Sequence, residues 1–119
     1  MKKILVIDDD PGVVSVLQNR LVANGYEVQT AADGVVGQQL VHSFAPDLII
    51  LDIVMPSLDG YSLYQEIRSE YNLKMKPIIV LTGKSEMGEL LRIQGAGVVI
   101  TKPFKMEDLL QEVSRLLGP

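Results

Sequence analysis

The chain has no cysteine and a single histidine, His42. Disulfides, thiol chemistry and Cys/His zinc sites are thereby excluded. An excess of positive charge is also missing. The net charge of -4 and the pI near 4.9 argue against this domain gripping nucleic acid by itself. No apolar run is long enough to cross a bilayer, and the amino end shows no signal-peptide pattern. Together with the missing cysteines, this makes a cytoplasmic protein the expectation. There is no repeat, no linker and no low-complexity stretch, and neither a glycine-rich phosphate cradle nor a Walker lysine motif, so a nucleotide ligand is not expected. With 119 residues, 47% apolar and 22% charged, the chain suits one globular domain spanning 1–119 with a real core.

What is present is organised around residues 48–60, Leu-Ile-Ile-Leu-Asp-Ile-Val-Met-Pro-Ser-Leu-Asp-Gly. Four apolar residues run straight into Asp52, and a loop punctuated by proline and glycine follows. An unbroken apolar run of this kind reads as a strand buried on both faces, the habit of parallel sheets. Asp52 then stands where the strand leaves the core, at the carboxyl edge, where open α/β sheets place their ligands. Similar runs at 3–7, 77–82 and 98–101, and an alternating one at 26–31, make five expected strands. Between them lie helical patterns. The first begins at Asp10-Pro11, an N-cap followed by a proline suited to the first turn, and stops near Asn24-Gly25. The second carries the stripe Val36, Leu40 and Phe44, and the third Tyr64, Ile67 and Tyr71. A fourth, over 86–94, is short and interrupted by Gly88. The last presents Met106, Leu109, Leu110, Val113, Leu116 and Leu117 on one face. His42 is expected at the surface, and Asp33 and Asp59 in turns. Strict alternation of strand and helix predicts a parallel sheet with helices on both faces.

In such a sheet every strand ends on the same edge. That edge would carry Asp8 and Asp9, then Asp52, Thr82 and Lys102. Packing does not call for this grouping, because each group costs free energy to desolvate and like charges repel. A divalent cation relieves the repulsion, and carboxylates plus water are what Mg²⁺ prefers. Lys102 and Thr82 could then hold phosphoryl oxygens, with a carboxylate as the group that attacks phosphorus. Asp52, central among them, is the best placed.

Asp8-Asp9, Asp52 with Met55-Pro56 and Asp59-Gly60, Thr82, and Lys102-Pro103-Phe104 resemble the receiver domain of two-component response regulators, in order and over the whole chain. The resemblance implies a flavodoxin-like doubly wound five-stranded parallel sheet in the order 2-1-3-4-5 with five helices. It implies that Asp52 accepts a phosphoryl group from a histidine kinase, a phosphotransfer protein or a small phosphodonor. Mg²⁺ would be held by Asp9, Asp52 and the backbone carbonyl of Val54, with Asp8 reaching it through water. Thr82 and Lys102 would engage the phosphoryl oxygens, and the Lys102-Pro103 bond would be cis. Such a domain is not an enzyme beyond its own phosphorylation and dephosphorylation. A homodimer or an effector would use the face of the fourth helix, fifth strand and fifth helix.

Two departures fall in the half that transmits the signal. Val99 stands three residues before the lysine, where receivers usually carry tyrosine or phenylalanine. Thr82 and Lys102 are 20 positions apart (102 minus 82), shorter than in receivers by about half a helical turn, so the fourth helix is expected to be short or irregular. Rival readings are a haloacid dehalogenase-like phosphatase, with Asp8 as nucleophile and Asp10 as proton donor, and a receiver-fold binding module that does not switch.

Overall fold

The apolar runs become the middle of a sheet. In the computed structural model, which describes residues 1–53, 60–70, 76–83 and 98–118, β1 (Lys3–Ile7), β3 (Leu48–Asp52) and β4 (Ile78–Thr82) are buried throughout except for Lys3. β2 (Glu27–Ala31) and β5 (Val98–Thr101) are only partly buried, as edge strands are. All pairings are parallel, in the order β2-β1-β3-β4-β5. This is the doubly wound, flavodoxin-like arrangement that was expected.

Helices cover both faces because side chains alternate along each strand. Ile4, Val6, Ile50, Ile79 and Leu81 point to one side. There they meet Leu17 and Leu21 of α1 (Pro11–Ala23) and Leu109 and Val113 of the C-terminal helix (Met106–Leu117). Leu5, Ile7, Ile49, Leu51 and Val80 point to the other. They meet Val41 of α2 (Gly34–Ser43) with Phe44 just beyond it, and Leu63, Tyr64 and Ile67 of α3 (Gly60–Ser69). None of these helices is long and apolar enough to cross a membrane.

Helix boundaries follow local chemistry. Asp10 caps α1 by accepting from the backbone N–H groups of Gly12 at 2.9 Å and Val13 at 3.4 Å. The helix stops at Ala23 with Asn24 as its C-cap, and Gly25 follows with a φ of 92° that glycine adopts without strain. Asp33, expected only as a turn former, caps α2 through the Val36 N–H at 2.9 Å. The α2 stripe also differs from the expected one. Val36 is exposed, and Gly34, Gly37 and Val41 turn inward with Phe44, because Gly37 lets the helix settle close against Ile7. The expected fourth helix over 86–94, together with Val54, Asp59 and Tyr71, lies outside the described residues.

His42 is at the surface, as expected, but it has partners. Its Nε2 lies 2.9 Å from Glu70, and its Nδ1 lies 3.0 Å from the carbonyl oxygen of Gln38. One helical turn earlier, Gln38 donates to Glu66 at 2.7 Å. Both neighbours of the imidazole are acceptors, so only the protonated ring can donate to both. The hydrogen bond to Glu70, then that to Gln38, raises the His42 pKa above 6.5. A histidine with a raised folded-state pKa stabilises fully below its unfolded value and loses that contribution as pH rises through the folded value. The clasp between α2 and the end of α3 should therefore weaken on going alkaline. The stability difference between the native chain and His42→Gln should be larger at about pH 5.5 than at about pH 9. It should not exceed about 1 kcal/mol, since the pair is exposed. Urea unfolding at the two pH values measures it, and a larger difference at the alkaline value would contradict the assignment.

Candidate functional site

The ends of β1, β3, β4 and β5 deliver the components to the carboxyl edge. β1 ends at Ile7, so Asp8 is carried on the stiff end of a buried strand and is itself 1% exposed. Its Oδ1 accepts from the Asp10 N–H at 2.9 Å, which pins the carboxylate, and its own N–H donates to the Ala31 carbonyl at 3.1 Å. Asp9 follows and is exposed. Asp52 closes β3 and is 5% exposed. One carboxylate oxygen from each of Asp8, Asp9 and Asp52 lies within 4.8 Å of the other two. These are the three acids that the sequence placed together.

Lys102 comes from the loop after β5, where its N–H donates to the Thr82 carbonyl at 2.8 Å. Its side chain reaches across β4 to the acids. The Nζ donates to Asp8 Oδ2 at 2.9 Å and to Asp52 Oδ2 at 3.4 Å. The closer partner is thus Asp8. Burial works against the ammonium, but the hydrogen bond and charge of Asp8, followed by those of Asp52, outweigh it and raise the Lys102 pKa above 10.5. Lys102 therefore remains an ammonium throughout the neutral range. The Lys102–Pro103 bond is cis.

Thr82 ends β4 and is fully buried. It stands two residues beyond Val80, and Val80 pairs in register with Val99. Alternation thus puts the Thr82 side chain on the face of Val80 and Val99, opposite the one that carries Leu81 and Ile100. Asp8, Asp9 and Asp52 cluster and Lys102 reaches Asp8 and Asp52, while the Thr82 carbonyl accepts from the Lys102 N–H. Val99 is 8% exposed and packed in the core. Val54 lies outside the described residues.

Three carboxylates gather with one ammonium at this edge. The crowding of acids and their oxygen-only donor set match a hard divalent cation such as Mg²⁺. A cavity of about 400 Å³ opens beside Asp8 and Asp9, edged by Ser15, Gln18 and Thr30. Asp10, meanwhile, is committed to capping α1, which leaves the phosphatase reading without its proton donor. Sequence reasoning includes Gly60 in the motif that carries the resemblance but gives it no role. A β-carbon on it would run into the main chain of Asp52 and Ile53.

Adding Mg²⁺ should raise the Tm of the native chain, with a stabilisation of about 2.7 kcal/mol at a concentration near 100 times its Kd. Asp9→Asn should be at least as stable as the native chain in chelator, because one repelling charge is gone, and should lose most of the Mg²⁺ response. A full response in that variant would remove Asp9 from the cation site.

A model of the response regulator receiver domain family matches residues 4–114. The DNA-binding dual master transcriptional regulator RpaA of Synechocystis is 37% identical over 119 residues, covering 98% of this chain and 49% of its own length. The chain spans about half the length of the curated relatives it matches. Among solved structures, the response regulator TrrA of Thermotoga maritima, in complex with Mg(2+)-BeF, is 37% identical with a TM-score of 0.87. The match covers 98% of this chain and all of that one. The chemotaxis protein CheY4 of Vibrio cholerae is 33% identical with a TM-score of 0.88, covering 98% of this chain and 99% of that one.

Proposed function

The chain belongs to the response regulator receiver domain family, and from that premise we propose that residues 1–119 form one receiver domain whose phosphoacceptor is Asp52. The observation that carries the reading is the convergence of Asp8, Asp9, Asp52 and Lys102 at one sheet edge. An Asp52 carboxylate oxygen attacks the phosphorus of a phosphohistidine, on a histidine kinase or phosphotransfer protein, or of a small acyl phosphate. The new O–P bond forms as the donor's N–P or O–P bond breaks, and the electron pair leaves with the donor. Asp9, Asp52 and the Val54 carbonyl would hold Mg²⁺, with Asp8 reaching it through water. When bound, it would supply positive charge to offset the carboxylates and the transferred group. A solved relative in complex with Mg(2+)-BeF supports this assignment.

Lys102 stays protonated and moves from Asp8 and Asp52 to a phosphoryl oxygen, while the Thr82 hydroxyl turns to donate to another. Beyond its own phosphorylation and dephosphorylation the domain is not an enzyme, and its setting is cytoplasmic. Where a DNA-binding output exists, as the name of one relative states for that protein, it would lie in a separate domain. A homodimer or an effector would use the face formed with β5 and the C-terminal helix. The phosphodonor protein docks in the apolar groove of about 670 Å³ lined by Gly12, Val13, Val16, Pro103, Phe104 and Met106, which shares Lys102 with the site. Val99 favours one competing reading, a receiver that is phosphorylated without the usual aromatic swing and acts as a fixed binding module.

Asp52→Asn should abolish labelling by acetyl phosphate with Mg²⁺, read by mass spectrometry. Labelling that persists in this variant would overturn the assignment. Val16→Lys should slow transfer from the protein donor by about tenfold, equivalent to 1.4 kcal/mol, and leave labelling by acetyl phosphate unchanged. Equal slowing of both would place the donor elsewhere.

A further inference from the structure

Gly60 opens α3 and is buried. Among the described glycines only Gly25 and Gly118 have positive φ, so backbone freedom does not account for glycine at position 60. Helix propensity opposes it too, since glycine is the poorest helix former after proline. What the position excludes is a side chain. A β-carbon there would come closer than 3.0 Å to the Asp52 carbonyl oxygen and to the Cα and carbonyl carbon of Ile53. All three are main-chain atoms, so no change of rotamer relieves the overlap. At Gly37, by contrast, the near atoms belong to the Ile7 side chain and not to the main chain.

We infer that Gly60 is a positioning residue, the bare seat on which the main chain of Asp52 and Ile53 rests and which sets where the Asp52 carboxylate stands. The inference rests on the reading of Asp52 as phosphoacceptor. Neither neighbour of that seat is free to yield. Ile53 is tied on its far side by its N–H to the Leu81 carbonyl at 3.1 Å, and Asp52 pairs in register with Leu81. Lifting α3 would pull Leu63, Tyr64 and Ile67 out of the core. A β-carbon at position 60 therefore moves Asp52 relative to Asp8, Asp9 and Lys102. Those partners lie within a few ångströms, where a misplacement of about 1 Å can cost about 100-fold in rate.

The test compares the native chain, Gly60→Ala and Gly37→Ala, each scaled to its folded fraction from urea unfolding. Two readouts are taken: affinity for Mg²⁺ alone, and labelling by acetyl phosphate. Gly60→Ala should bind Mg²⁺ about tenfold more weakly and label about 100-fold more slowly, while Gly37→Ala keeps the native values per folded molecule. Native values in Gly60→Ala would overturn the inference and leave the phosphoacceptor reading standing. If the native chain itself neither binds Mg²⁺ nor labels, that reading fails and the inference falls with it. Should Gly60→Ala not fold, hydrogen exchange on the native chain decides. With Mg²⁺ and beryllofluoride, amides 61–64 should gain more protection than amides 66–69, and equal gains would overturn the proposal.

Discussion

One ammonium among three carboxylates is the interaction on which the site depends. Lys102 spans Asp8 and Asp52, two acids that are almost fully buried and would otherwise face each other with Asp9 as like charges. Burial raises the free energy of every charge in that group, and proximity raises it again. The lysine offsets part of this, and a cluster of three acids at one edge fits a divalent cation. Parallel strands make the arrangement affordable, because they bring all their ends to one edge and let residues far apart in the chain meet there without strain.

The frame around the site divides the work. Asp8, Asp9 and Asp10 are consecutive but have three different surroundings. Asp8 is buried and doubly bonded, Asp9 faces solvent, and Asp10 caps α1. Capping fixes α1 at the site's rim, and the Asp8 bond to the Asp10 N–H ties the cap to the acid cluster. On the other side of the sheet, α3 begins under the main chain of Asp52 and Ile53. Asp8 is thus bonded to a main-chain N–H, and the main chain of Asp52 lies close against Gly60.

Signal output is a separate matter from phosphoryl chemistry. Thr82 and Val99 share one face of the sheet on neighbouring strands, both buried. A branched valine at that position offers no ring to rotate. The acid cluster at the strand ends stands apart from this difference, since Val99 is not among its residues.

Period and composition made the strands, the helices, the cap at Asp10 and the gathering of Asp8, Asp9, Asp52 and Lys102 legible, because each follows from a local pattern repeated along the chain. Where local pattern was ambiguous, the reading slipped. Val36 was placed in the core stripe but is exposed, since Gly37 and Val41 fit the sheet more closely. That Lys102 lies closer to Asp8 than to Asp52, that His42 clasps Glu70, and that Gly60 sits against the main chain of Asp52 were decided by tertiary structure. These are distances of a few ångströms between residues up to 94 positions apart, fixed by how helices seat on the sheet. A one-dimensional pattern names the groups that meet at an edge, but only packing decides which of them touch.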